Sequence, residues 1–209
     1  MGFSQVDICN LALSRAGGNS ILQITSLGEA STEARQCAIK FPHVLRSALR
    51  AYPWNFATKT VALALLGTNE DQKFYKNIYY YQYPEDCLQI LAINNPLDLQ
   101  NSNQEQIITS FPYSVELGSD STKFILTECP QALLRFITYI DDPNVWDSLF
   151  CDAFAWQLAS ELCMSLGGDN GRVQALKDLA SLAFDKAKSQ DSKESQYVLV
   201  HSNYLGARE

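Results

Sequence analysis

Only two histidines, His43 and His201, occur among the 209 residues, and that scarcity bounds the available chemistry. Nucleophilic catalysis needs a Ser or Cys within reach of a base and a group that orients it. His43 follows Pro42 in a stretch with helical spacing and reads as a helix-surface residue, and His201 lies in a tail. The chain has no G-x-S-x-G, P-loop or H-E-x-x-H pattern. Gly167-Gly168-Asp169-Asn170-Gly171 lacks both a preceding strand and the Gly-Lys-Ser/Thr ending of a phosphate loop, so it reads as a turn between helices.

Two carboxylates suffice to cleave a glycosidic bond. Asp141-Asp142 and Glu85-Asp86 are the best local pairs. Neighbours in a turn usually point apart, and Asp142 or Asn144 suits the cap of a following helix. A peptidoglycan hydrolase is therefore the alternative enzymatic reading, and capping is the simpler account. Six cysteines, Cys9, Cys37, Cys87, Cys129, Cys151 and Cys163, include no C-x-x-C pair. Several fall on apolar positions, where a reduced thiol packs as a small hydrophobe, so neither disulfides nor zinc are expected. No cofactor is expected, and the reading favours a protein without enzymatic activity.

A formal net charge of −7 argues against tight nucleic-acid binding, which relies on a basic face. It suits a passage through which DNA slides without sticking. The run Tyr79-Tyr80-Tyr81 has the stacking surface for bases or sugars, but sheet packing or a subunit interface explains it more simply. No apolar run approaches the ~20 residues of a membrane span. The N-terminus lacks the basic start and apolar stretch of a secretory signal, so synthesis and folding in a cytoplasm are expected. Met1-Gly2 invites N-myristoylation, but Val6 stands where that motif wants Ser or Thr.

The spacing predicts a helix over 6–16, stopped by Gly17-Gly18, and a longer one over 31–52 that is kinked at Pro42 and ended by Pro53. The middle changes character. Tyr75 to Tyr83 is tyrosine-rich, Pro84-Glu85-Asp86 reads as a turn, and Cys87 to Ile93 as a buried strand. Tyr113–Leu117 and Lys123–Thr127 flank a turn and predict a hairpin, with a further strand over 134–140. Residues 94–106, polar and rich in Asn and Gln, read as a loop. Helices return over 145–166 and 172–189. The first of these is apolar all round, which implies burial on more than one side, in the core or against a neighbouring subunit. Trp146, Phe150, Trp156, Tyr79 and Tyr81 are accordingly the candidate subunit or tail interface.

The expected fold is mainly α within an α+β class: a helical bundle with a small inserted antiparallel sheet and an extended C-terminal arm. The expected division is a helical domain over 1–190, with the β insertion at about 75–140, and a docking arm over 191–209. That arm carries Tyr197, Val198, Leu199, Val200, Tyr204, Leu205 and Arg208 after a polar tether. Such a β-prone patch suits docking onto another chain by strand addition or pocket filling.

Three sets of residues resemble one family. Asp7-Ile8-Cys9-Asn10-Leu11-Ala12-Leu13 with Ala16-Gly17 is similar to the opening of phage head-to-tail adaptors of the tail tubular protein A type. So are Ser26-Leu27, Glu33-Ala34, Cys37, Leu49-Arg50 and Pro53-Trp54-Asn55-Phe56-Ala57. The third set is Tyr81-Gln82-Tyr83-Pro84-Glu85-Asp86-Cys87-Leu88, followed by Phe150-Cys151-Asp152-Ala153-Phe154-Ala155 and Leu158-Ala159. The stretches span most of the chain, and Tyr204 to Arg208 match the family's ending only loosely.

The resemblance implies a dodecameric ring below the portal that extends the DNA channel, and a helical bundle carrying a small β element. The implied partners are further copies of the chain, the portal protein, and the tail nozzle or tube, with tail fibres a further candidate. Double-stranded DNA would pass through without specific binding, and the protein would reside in the neck of the virion. In related adaptors the C-terminal segment attaches to the portal, which assigns the arm beginning at Tyr197 to that role. A tail-completion or terminator ring is the nearest alternative function.

Overall fold

The computed structural model describes residues 3–17, 23–69, 78–95, 110–119 and 121–194. Residues 195–209 of the expected C-terminal arm, most of the 94–106 loop and residues 75–77 of the tyrosine-rich stretch lie outside these, while residues 191–194, expected to begin the arm, are helical. The chain divides into two compact units, one built from residues 1–58 and 137–194, the other from 59–136.

The first unit is helical. Helix α1 (Gln5–Ala16) begins with a reciprocal box: Ser4 Oγ accepts from Asp7 N, while Asp7 accepts from Ser4 N. It ends at Gly17, whose φ of 67° lies where glycine alone is unstrained. Asn10 then fixes the following connector, its side chain bonding both the N–H and the C=O of Ile24. Helix α2 (Thr32–Arg50) is capped by Ser31 and runs through Pro42 without a break, as its uninterrupted apolar phase predicts.

Helix α3 (Ser148–Ser165) starts three residues later than expected. Pro143–Val145 forms a short 3-10 turn capped by Asp142, and Asp147 caps α3 by accepting from Leu149 N at 2.7 Å. Helix α4 (Asn170–Glu194) outruns its expected span at both ends.

Helix α3 packs against α1, α2 and α4. Its all-round apolarity is thus answered largely inside its own unit. Arg15 of α1 donates to the carbonyl and the carboxylate of Asp152 and lies 4.1 Å over the Trp156 ring, tying two helices with one side chain. An aromatic cluster fills the interior: Trp54 meets Phe150 edge-on at 4.9 Å between centroids, and Trp146 meets Phe150 at 5.3 Å.

The described residues of the second unit and its margins form seven strands: β1 (Thr58–Ala62), β2 (Leu65–Asn69), β3 (Ile78–Gln82), β4 (Cys87–Asn94), β5 (Tyr113–Leu117), β6 (Lys123–Thr127) and β7 (Leu133–Thr138). They form a three-stranded sheet of order β1-β7-β4 and a four-stranded sheet of order β2-β3-β6-β5. Tyr81, Ile93, Ile125, Leu134 and Phe136 make a separate core. Within it, Tyr81 Oη donates to the Cys129 carbonyl at 2.8 Å, which satisfies its one buried polar group.

These observations correct the expected fold class. Strand accounts for 23% of the described residues against 49% helix, and it forms two antiparallel sheets. That is too much for a small element inserted in a helical bundle, and the chain is α+β. The sheet unit also begins at Lys59, against the expected 75. The difference comes from β1 and β2, which the sequence pattern does not announce.

Candidate functional site

The carboxylates singled out in the sequence hold structural contacts. Asp142 Oδ1 accepts from the main-chain and side-chain N–H groups of Asn144. The carbonyl of Asp141 accepts from Gln5 at 2.8 Å. Asp86 pairs with Lys59 at 3.0 Å, an exposed contact of small energetic weight. His43 is exposed on α2, and His201 lies outside the described residues. Gly167-Gly168 forms the expected turn between α3 and α4, with Asp169 accepting from Arg172 N to start the latter.

All six cysteines are free and buried. Burial pushes the Cys151 thiol up to about 11, and burial likewise raises that of Cys87. Hydrogen bonding to Cys37, together with burial, raises that of Cys9. A thiol so held is a poor nucleophile. Among the described residues no group of three or more His, Cys, Asp or Glu side chains is placed to hold a metal ion. No described helix is long and apolar enough to cross a membrane.

A groove of about 350 Å³ between α2, α3 and α4 is lined by Ser47, Gln157, Glu161, Lys177, Asp185 and Lys188, among others. Its charges are mixed in sign, and it contains no cysteine or histidine that would supply a nucleophile or a base near neutral pH.

The proposed interface residues divide by depth. Phe150 is fully buried, Tyr81 and Trp146 are 1% and 7% exposed, and all three are held inside their own units. Trp156 and Tyr79 are half-buried and retain some surface. The docking-arm residues Tyr197, Val198, Leu199, Val200, Tyr204, Leu205 and Arg208 lie outside the described residues.

The outward apolar surface lies elsewhere. On β5, Tyr113, Val115 and Leu117 alternate with Ser114 and Glu116 and share one face, and all three are exposed. On β2, Leu65 and Leu66 are exposed, as are Leu179 and Leu182 on the outer side of α4. The alternation of β5 is visible in the sequence, but alternation alone assigns its apolar face to a core. Side chains of this kind offer apolar contact area and have no reacting group.

No protein-family model matches the chain, and no curated protein matches it.

Proposed function

We propose that the chain is a structural, non-enzymatic ring subunit of a tailed-phage neck, an adaptor that continues the DNA channel below the portal and presents a platform to the tail. The single observation that carries the protein-binding part of this reading is the apolar surface turned outward on two different edges of one sheet, β2 and β5. A ring that closes by rotation needs two distinct patches on each subunit, one for each neighbour. The neck assignment comes from the resemblance of three sets of residues.

The motifs that carry the resemblance serve as keystones of the fold. Trp54 is fully buried and donates from Nε1 to the Ala48 carbonyl at 3.0 Å. Asn55 holds the far end of α4 through Asp191. In the tyrosine motif, Tyr81 anchors the sheet core, and Glu85-Asp86 turns the chain into β4. In this reading the arm beyond Glu194 grips the portal, and acidic side chains line the channel to keep DNA from binding its wall.

The test is to purify phage particles and to mix the purified subunit with the cognate portal. The subunit should be found in the particle neck, and light scattering should show it adding to the portal as a ring. Particles complete without it would overturn the proposal. So would turnover of peptidoglycan abolished by changing one carboxylate to an amide.

A further inference from the structure

Among the described residues the four-stranded sheet has two unpaired edges, and they run in opposite directions. Each neighbouring pair in the order β2-β3-β6-β5 is antiparallel. With an even number of alternating strands, β2 and β5 are therefore antiparallel to each other. Among the described residues no strand lies beyond either edge. A second copy set alongside in the same orientation brings its β2 antiparallel to the first copy's β5, and the alternation continues unbroken.

The side chains fit the same arrangement. Val115 is in register with Ile125, and Ile125 with Tyr81. Directly opposed residues share a face of the sheet. That row begins in the core, where Ile125 and Tyr81 are 0% and 1% exposed, and emerges at the edge, where Val115 is 45% exposed and Leu117 65%. Leu65, the register partner of Tyr81, continues the row at the opposite edge and is 51% exposed. The apolar layer is cut off at both ends of the sheet. Proteins usually protect such edges with lysine, proline or a covering element. Neither strand contains proline or lysine, and β2 has no charged residue.

We propose that β2 of one subunit pairs with β5 of the next, a seam joining successive sheets head to tail. This rests on the ring reading above and names its subunit contact. Pairing two five-residue edges covers a few hundred Å², against the roughly 1,200 Å² that a stable two-body association needs. One seam therefore does not hold two free subunits together. A subunit within a closed ring makes two seams, so assembly awaits a template such as the portal. Pairing of β5 with β5 across a two-fold axis would instead stop at a dimer.

Cross-linking through introduced thiols tests the seam, because all six native cysteines are buried. Thr68→Cys places a thiol on an exposed position of β2, in the row of Tyr79, Thr127 and Tyr113, and Val115→Cys places one on the same face of β5. With the portal added as template, a short bis-maleimide should turn the double variant into a ladder extending past the dimer. A mixture of the two single variants should stop at dimers, and each alone should link no more than a control at Lys186→Cys on α4. Dimers from Val115→Cys alone, or no ladder above the control, would overturn the proposal. Labelling of native thiols would reveal a misfolded variant, and Tyr113→Cys, on the same face of β5, then replaces Val115→Cys. The same reaction in purified particles separates the two ideas. Subunit present but unladdered sinks the seam alone, and subunit absent from particles sinks the neck assignment.

Discussion

Asp191 and Asn55 hold each other by both side chain and main chain. The Asn55 N–H donates to the Asp191 carboxylate at 3.1 Å, and Asn55 Nδ2 donates to the Asp191 carbonyl at 2.7 Å. The contact fastens the end of α4 to the 3-10 turn Asn55–Ala57. Asp191 is 7% exposed, and burial holds its carboxyl above the ordinary carboxylate range, with the Asn55 N–H opposing the shift.

A pH dependence with a definite sign follows. The folded chain binds the Asp191 proton more tightly than the unfolded chain does. Its contribution to stability therefore grows as pH falls from neutral through the raised folded value, and levels off below the unfolded one. Urea midpoints of wild type and Asp191→Asn, which retains an acceptor oxygen, should converge or cross in favour of wild type over that window. A difference independent of pH would contradict the assignment. Asp191→Ala removes the acceptor from a part-buried N–H and should cost about 1–3 kcal/mol.

Trp54 is fully buried beside Tyr52, Phe150 and Phe184. Trp54→Ala should cost about 3–5 kcal/mol by opening a cavity. Trp54→Phe should cost less while still leaving the Ala48 carbonyl without its donor. Equilibrium denaturation in urea measures both, and an Ala variant within 1 kcal/mol of wild type is the disconfirming result.

Around the α3–α4 turn, two adjacent glycines should fail for different reasons. Gly167 has a φ of 85°, so Gly167→Ala should cost about 1–2 kcal/mol in backbone strain alone, since an added Cβ meets nothing there. At Gly168 a Cβ would collide with Cys163 Sγ and approach its carbonyl oxygen to 2.9 Å. Combining Gly168→Ala with Cys163→Ala should therefore recover part of the loss, whereas the same second change should not rescue Gly167→Ala. Thermal melting of these four variants and of Cys163→Ala alone checks this double-mutant logic.

Thiol labelling should be all but absent in the native protein. Mass spectrometry after maleimide treatment should count six labels in denaturant and near zero without it. Rapid native labelling of Cys151 would contradict both its burial and its raised pKa.

Some of this organisation is legible in the sequence. The β5–β6 hairpin matches its expected limits because apolar and polar residues alternate on one arm and Gly118 supplies the turn. Helix α1 stops where Gly17 permits a positive φ. Strands β1 and β2 are hidden because Ala62-Leu63-Ala64-Leu65-Leu66 is continuously apolar, which suits a helix as well as a strand. The register of β2 also shifts between Leu65 and Gly67, which disrupts its alternation. Asp191 sits in a polar run that reads as the approach to a linker, and only the folded chain shows the partner that buries it. Trp146, Phe150 and Tyr81 show the converse problem. Sequence reveals that a side chain must leave water, but not whether its own domain or a neighbour will cover it.

The tryptophans give the molecule an optical division of labour. Trp54, Trp146 and Trp156 are the chain's full complement, and all three belong to the helical unit. Indole emission therefore reports on that unit alone, while the sheet unit, rich in tyrosine, is silent at the red edge of excitation. A denaturation curve followed by red-edge fluorescence and another followed by far-ultraviolet dichroism need not superimpose. Any gap between them would measure how independently the two halves of this chain melt.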